Sequence, residues 1–64
     1  MKVLHDFRHG DRWAQVYKVG SDFVVQCFIN QIYDGSRTIR GHSEQYAEDC
    51  AENYVFGIWS FKHD

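Results

Sequence analysis

Two runs, Trp13–Val19 and Asp22–Ile32, are rich in β-branched and aromatic residues and alternate in character along the chain. That period-two pattern belongs to strands with one buried face. The Gly20-Ser21 pair between them suits a two-residue type II′ turn, so the runs form a hairpin. This turn fixes a register in which paired residue numbers sum to 41: Trp13 opposes Phe28, Gln15 opposes Gln26 and Tyr17 opposes Val24. Ala14, Val16, Lys18, Phe23, Val25, Cys27 and Ile29 fall on the alternate face and form the expected core side.

Around the hairpin the signals are more varied. Lys2–Phe7 reads as a first strand that ends at the turn-like His9-Gly10-Asp11. Tyr33-Asp34-Gly35 reads as a three-residue loop with Gly35 left-handed, leading into a short strand over Ser36–Arg40 and setting Ile39 beside Ile29. A two-residue Asp34-Gly35 turn would reverse the parity, so the faces of Arg37 and Arg40 stay open. Ser43 is a suitable N-cap, and Ala47, Cys50, Ala51, Tyr54, Ile58 and Phe61 recur at helical spacing. Glu44, Gln45, Glu48, Asp49, Glu52 and Asn53 fill the other side of this amphipathic helix, whose end falls between Phe56 and Trp59. The fold class is therefore α+β: an antiparallel sheet of three strands, or four with the first segment, packed against one C-terminal helix.

With 64 residues, the chain has room for one domain spanning 1–64 and none for a second. A chain this short buries about 60% of its unfolded surface, which leaves little material for an enclosed active site. Eleven aromatics, no proline and five glycines argue against disorder, and no apolar run approaches a membrane span. No apolar leader follows Met1, and two cysteines are too few for a disulfide scaffold, so a cytoplasmic setting is expected. The net charge of −2 hides an asymmetry: residues 1–42 carry six Lys/Arg and four Asp/Glu, whereas residues 43–64 carry one Lys and five acids. Duplex nucleic acid, which asks for a basic surface, is disfavoured.

Candidate chemistry is sparse. Cys27 and Cys50 both fall on inward positions and read as buried reduced thiols. The four histidines offer only the loose His5-x-x-x-His9 pair, so neither a metal site nor a cofactor is expected. Glu48, Asp49 and Glu52 lie along one helix face with no difference of environment to separate an acid from a base, and no catalytic residues are assigned. One helix covers only one face of a sheet, which leaves Trp13, Gln15, Tyr17, Val24, Gln26 and Phe28 exposed unless the first strand or the Trp59–Phe61 tail folds over them. Contiguous exposed aromatics call for a partner, either another protein or a second copy of the chain. The acidic stripe of Glu44, Glu48, Asp49 and Glu52 is a second candidate surface. The alternative reading is a single-stranded nucleic-acid binder in which the same aromatics stack bases beside Arg12, Arg37 and Arg40.

Three strands running into a helix resemble the double-stranded RNA-binding domain, but that family's basic helix start is replaced here by His42-Ser43-Glu44-Gln45. Arg37-Thr38-Ile39-Arg40-Gly41, followed by Tyr46-Ala47-Glu48-Asp49 and Ala51-Glu52-Asn53, resembles short uncharacterised open reading frames of marine cyanobacterial phages. In size and style the chain is also similar to small phage proteins that bind and inhibit host enzymes, host RNA polymerase among them. These resemblances imply a non-enzymatic viral protein acting on a host protein in the host cytoplasm.

Overall fold

The computed structural model describes residues 2–61. Four antiparallel strands, β1 (Val3–His9), β2 (Arg12–Val19), β3 (Asp22–Ile29) and β4 (Ile32–Ile39), lie side by side in chain order, and one helix, α1 (Glu44–Val55), follows them. The expected first segment is thus a full edge strand, and the sheet has four members. The central hairpin has the expected register, with Trp13 opposite Phe28, Gln15 opposite Gln26 and Tyr17 opposite Val24. Gly20 sits at φ 62°, the left-handed value that the first corner position of a II′ turn demands.

The third corner departs from expectation. The chain turns at Asn30-Gln31, at φ 52° and 68°, and not at Tyr33-Asp34-Gly35. Two consecutive left-handed residues make a type I′ corner, whose twist matches the strands it joins. The Asn30 N–H also donates to the carbonyl of Asp11 at 2.8 Å, tying this corner to the one between β1 and β2. In consequence Ile39 pairs with Phe23 and not with Ile29, while Gly35 lies inside β4 opposite Cys27. Ile39 still reaches the core, because the extra residue Asp34 restores the parity that the two-residue corner reverses.

Each edge strand carries one irregularity. The register slips between Val3 and His5 in β1, and opposite Cys27/Phe28 in β4, where Asp34 is the extra residue. Such bulges let two successive side chains leave on one face. Here Leu4 and His5 both face the helix, as do Asp34 and Gly35.

The core lies between the sheet and α1. Ala14, Val16, Phe23, Val25, Cys27 and Ile39 from the strands meet Ala47, Cys50, Ala51, Tyr54 and Val55 from the helix. Ser43 caps α1 by accepting from the Tyr46 N–H at 3.3 Å. The helix stops at Val55, one residue before the expected interval, with Phe56 as C-cap. Gly57, at φ 81°, donates to the Tyr54 carbonyl at 3.0 Å, and the Ile58 N–H donates to that of Asn53 at 2.9 Å. These two bonds form a Schellman motif, which only a residue at ease with positive φ completes readily. Ile58 therefore lies outside the helix and is 72% exposed, contrary to its expected inward place.

The chain after Gly57 returns over the helix side of the sheet. The Trp59 indole donates to the Cys50 carbonyl at 2.8 Å, and the Phe61 ring lies against Gly35. Neither this segment nor β1 covers the opposite face of the sheet. Among the described residues no helix is long and apolar enough to cross a membrane.

Candidate functional site

The face of the sheet turned away from α1 is built from three rows, each crossing all four strands. Alternation along β2 and β3 sends Trp13, Gln15 and Tyr17, and Phe28, Gln26 and Val24, to this face, and the two bulges bring the edge strands into phase with them. The first row is Arg8, Trp13, Phe28 and Tyr33; the second is Asp6, Gln15, Gln26 and Ser36; the third is Val3, Tyr17, Val24 and Thr38.

The first row is a continuous stack. The Arg8 guanidinium lies 4.3 Å from the Trp13 ring centre, and Trp13 and Phe28 stack at 4.5 Å with planes 25° apart. Phe28 meets the edge of Tyr33 at 5.9 Å. The Trp13 indole N–H donates to Asp6 Oδ1 at 2.7 Å, and the same oxygen faces Arg8 Nε at 3.5 Å. Tyr33 is held in turn by a hydrogen bond between its hydroxyl and Ser36. Because β1 and β3 flank β2, Arg8 and Phe28 occupy opposite faces of the indole. Trp13 offers its edge to the surroundings and neither π-face.

At the other end of this surface, Val3, Gln15, Tyr17 and Gln26 line a shallow concavity of about 220 Å³. Arg8 and Asp6 balance each other at one end and Arg40 and Asp22 at the other, so the surface is electrically neutral with two amides at its centre. Sequence reasoning placed the β2 and β3 members here. It missed Val3, Asp6, Arg8, Tyr33, Ser36 and Thr38, whose phase depends on bulges and on the true third corner.

The three arginines that were expected beside the aromatics are distributed differently. Arg12 lies on the helix side, donating to the carbonyls of Tyr54 at 3.0 Å and Trp59 at 3.2 Å, with its guanidinium 4.9 Å from the Tyr54 ring centre. It supplies the positive charge that the last turn of α1 lacks. Arg37 is also on the helix side, 5.2 Å from the Trp59 ring centre and 3.9 Å from Cys50 Sγ. Only Arg40 stays clear of the core, its Nε 3.5 Å from Asp22.

The acidic stripe is likewise divided. His5 Nε2 lies 2.6 Å from Glu44 and its Nδ1 lies 3.2 Å from Glu48, so these two acids link β1 to α1, Glu44 from an exposed position and Glu48 from a half-buried one. Asp49 accepts from Gln45 at 3.1 Å, and Glu52 is exposed. Among the described residues no three His, Cys, Asp or Glu side chains are arranged to hold a metal ion.

Both thiols are free and buried. Burial, reinforced by the neighbouring Cys50 and Asp34, pushes the Cys27 thiol up to about 12, and burial also raises Cys50 despite Arg37 beside it. An activated nucleophile requires the opposite shift. Tyr54 is fully buried, and its hydroxyl donates to Asp34 at 2.6 Å. Burial and that bond both push its ionisation to higher pH. Compared with known proteins, the chain matches no family model, and neither a curated protein nor a solved structure is significantly similar to it.

Proposed function

We propose that the chain is a non-enzymatic protein-binding module whose contact surface is the uncovered face of the sheet. One observation carries the reading: a row of four side chains, Arg8, Trp13, Phe28 and Tyr33, is stacked in place before any partner arrives. Rigid aromatic anchors and arginine dominate the energetics of protein interfaces, because they lose little freedom on binding. The resemblance to cyanobacterial phage reading frames makes a host protein in the host cytoplasm the partner class. Burial holds both thiols protonated, which disfavours either cysteine as a nucleophile.

Base stacking on single-stranded nucleic acid loses two of its supports. A base needs an open ring face and a free nearby cation, whereas both faces of Trp13 are occupied, Arg12 and Arg37 lie across the sheet, and Arg8 is already engaged with Trp13 and Asp6. The test is retention of proteins from a cyanobacterial lysate by the immobilised chain, read by mass spectrometry. Trp13→Ala should lose the retained set, and Glu52→Ala, on the exposed side of α1, should keep it. Equal retention by both variants would remove the basis of the reading. A fluorescent single-stranded oligonucleotide titrated at low salt should show no binding.

A further inference from the structure

We infer that the uncovered sheet face is built to dock on a second copy of itself, about a two-fold axis running parallel to the strands between β2 and β3. The inference rests on the reading of this face as a protein-contact surface and names its occupant. An isologous contact requires that a surface complement its own image. An axis in that position carries each row onto its own reverse, with β1 over β4 and β2 over β3 of the second copy.

The rows satisfy the requirement pair by pair. Trp13 meets Phe28 of the second copy, Gln15 meets Gln26 and Tyr17 meets Val24. At the rims, Arg8 meets Tyr33, a cation on an aromatic ring, and Asp6 meets Ser36, an acceptor on a hydroxyl. A carboxamide carries both a donor and an acceptor, so the central glutamines satisfy one another without any group foreign to the chain. An axis perpendicular to the strands does worse, since it sets Asp6 of one copy over Asp6 of the other.

Size and charge agree with this occupant. Four strands ~4.8 Å apart, each about eight residues long at ~3.3 Å per residue, present a projected face of roughly 500 Å². Side-chain relief raises the accessible area toward the ~800 Å² per partner buried in a standard stable interface. A face whose two cations, Arg8 and Arg40, are each paired with an anion, Asp6 and Asp22, does not repel its copy. Two such sheets would pack about 10 Å apart as an aligned sandwich with a helix on each outer side.

The test is charge complementation read by sedimentation equilibrium. The wild-type chain should be a dimer at about 100 µM, within the affinity range of standard interfaces. A chain carrying Gln15→Glu with Gln26→Glu, and one carrying Gln15→Lys with Gln26→Lys, should each dissociate at least ~100-fold more readily, because each buries like charges at the centre. Mixing the two should restore a dimer containing one of each. A second measurement needs no variant: diluting the wild type should shift the backbone amide resonances of Trp13, Gln15, Val24 and Phe28 and leave those of α1 in place. A monomeric wild type, charged chains that stay dimeric alone, a mixture that stays monomeric, or dilution shifts confined to the outer edges of β1 or β4 would each overturn the proposal. A monomer that still captures a lysate protein through Trp13 would overturn self-docking alone, whereas loss of that capture difference would strike the underlying reading.

Discussion

Gln31 is an ordinary L-residue held at φ 68°, directly after Asn30 at 52°. Left-handed backbone costs a residue with a Cβ about 1 kcal/mol, and asparagine followed by glycine is the pair best suited to a type I′ corner. Gln31→Gly should therefore stabilise the fold by about 0.5 to 1 kcal/mol, visible as a rise of several degrees in the thermal midpoint. Gly35 gives the opposite case. A Cβ there would sit 3.1 Å from the Phe61 ring, with neighbouring ring atoms as close. Gly35→Ala should cost about 1 to 3 kcal/mol in urea unfolding, and less in a Phe61→Ala background where the ring is gone. The two glycine signals in the sequence were thus unequal guides. Gly20 marked a corner because its backbone needs positive φ, while Gly35 marked a place where an aromatic ring approaches a strand, which no local pattern reveals. Gln31 carried no turn signal at all, so the third corner was misplaced.

At the scale of elements, the central hairpin was legible because a two-residue turn and period-two alternation both determine the same pairing. The start of α1 was legible from Ser43 and the apolar spacing after it. The edge strands were legible as strands but not in phase, since a one-residue bulge reverses every side chain beyond it and nothing around Leu4 or Asp34 announces one. The acidic side of α1 was read as solvated, yet Glu44 and Glu48 grip His5, which lies 39 residues from Glu44 in the chain. That contact exists only once β1 and α1 have both been placed. Glu48→Ala should accordingly cost about 0.5 to 1 kcal/mol, because it removes one of two acceptors facing the imidazole, and Glu52→Ala should change stability by less. Paired chemical denaturation curves would check the difference.

For the molecule as a whole, the buried ionisable groups set a direction for its pH response. In the unfolded chain the Cys27 thiol titrates near 9, whereas in the fold it is pushed up to about 12. The folded state keeps a proton that the unfolded state releases, so this stabilisation is complete below pH 9 and is lost as pH rises toward 12. The slope is up to ~1.4 kcal/mol per pH unit for one thiol. Cys50 and Tyr54 are raised for the same reason and add with the same sign. Urea midpoints should fall between pH 8 and 10.5, and Cys27→Ala should make that fall shallower. Placement of the contact surface was partly legible at this scale too. That one face would be left bare followed from a single helix on a sheet, but which arginine stands on it depended on registers that only the assembled strands define.

The strand order β1-β2-β3-β4, identical to the order in the chain, has a consequence in time. Each strand finds its neighbour across a two-residue corner, so sheet formation closes only short loops, and hairpins of this kind form in about 1 to 10 µs. The long closures come with the helix and the returning tail, where Arg12 reaches residues 42 and 47 positions away. With no proline in the sequence there is no slow isomerisation to wait for. Refolding after rapid dilution from urea should be single-exponential and complete within milliseconds, and the Trp59 environment should be established together with the docking of α1, since its indole hydrogen bond ends on Cys50.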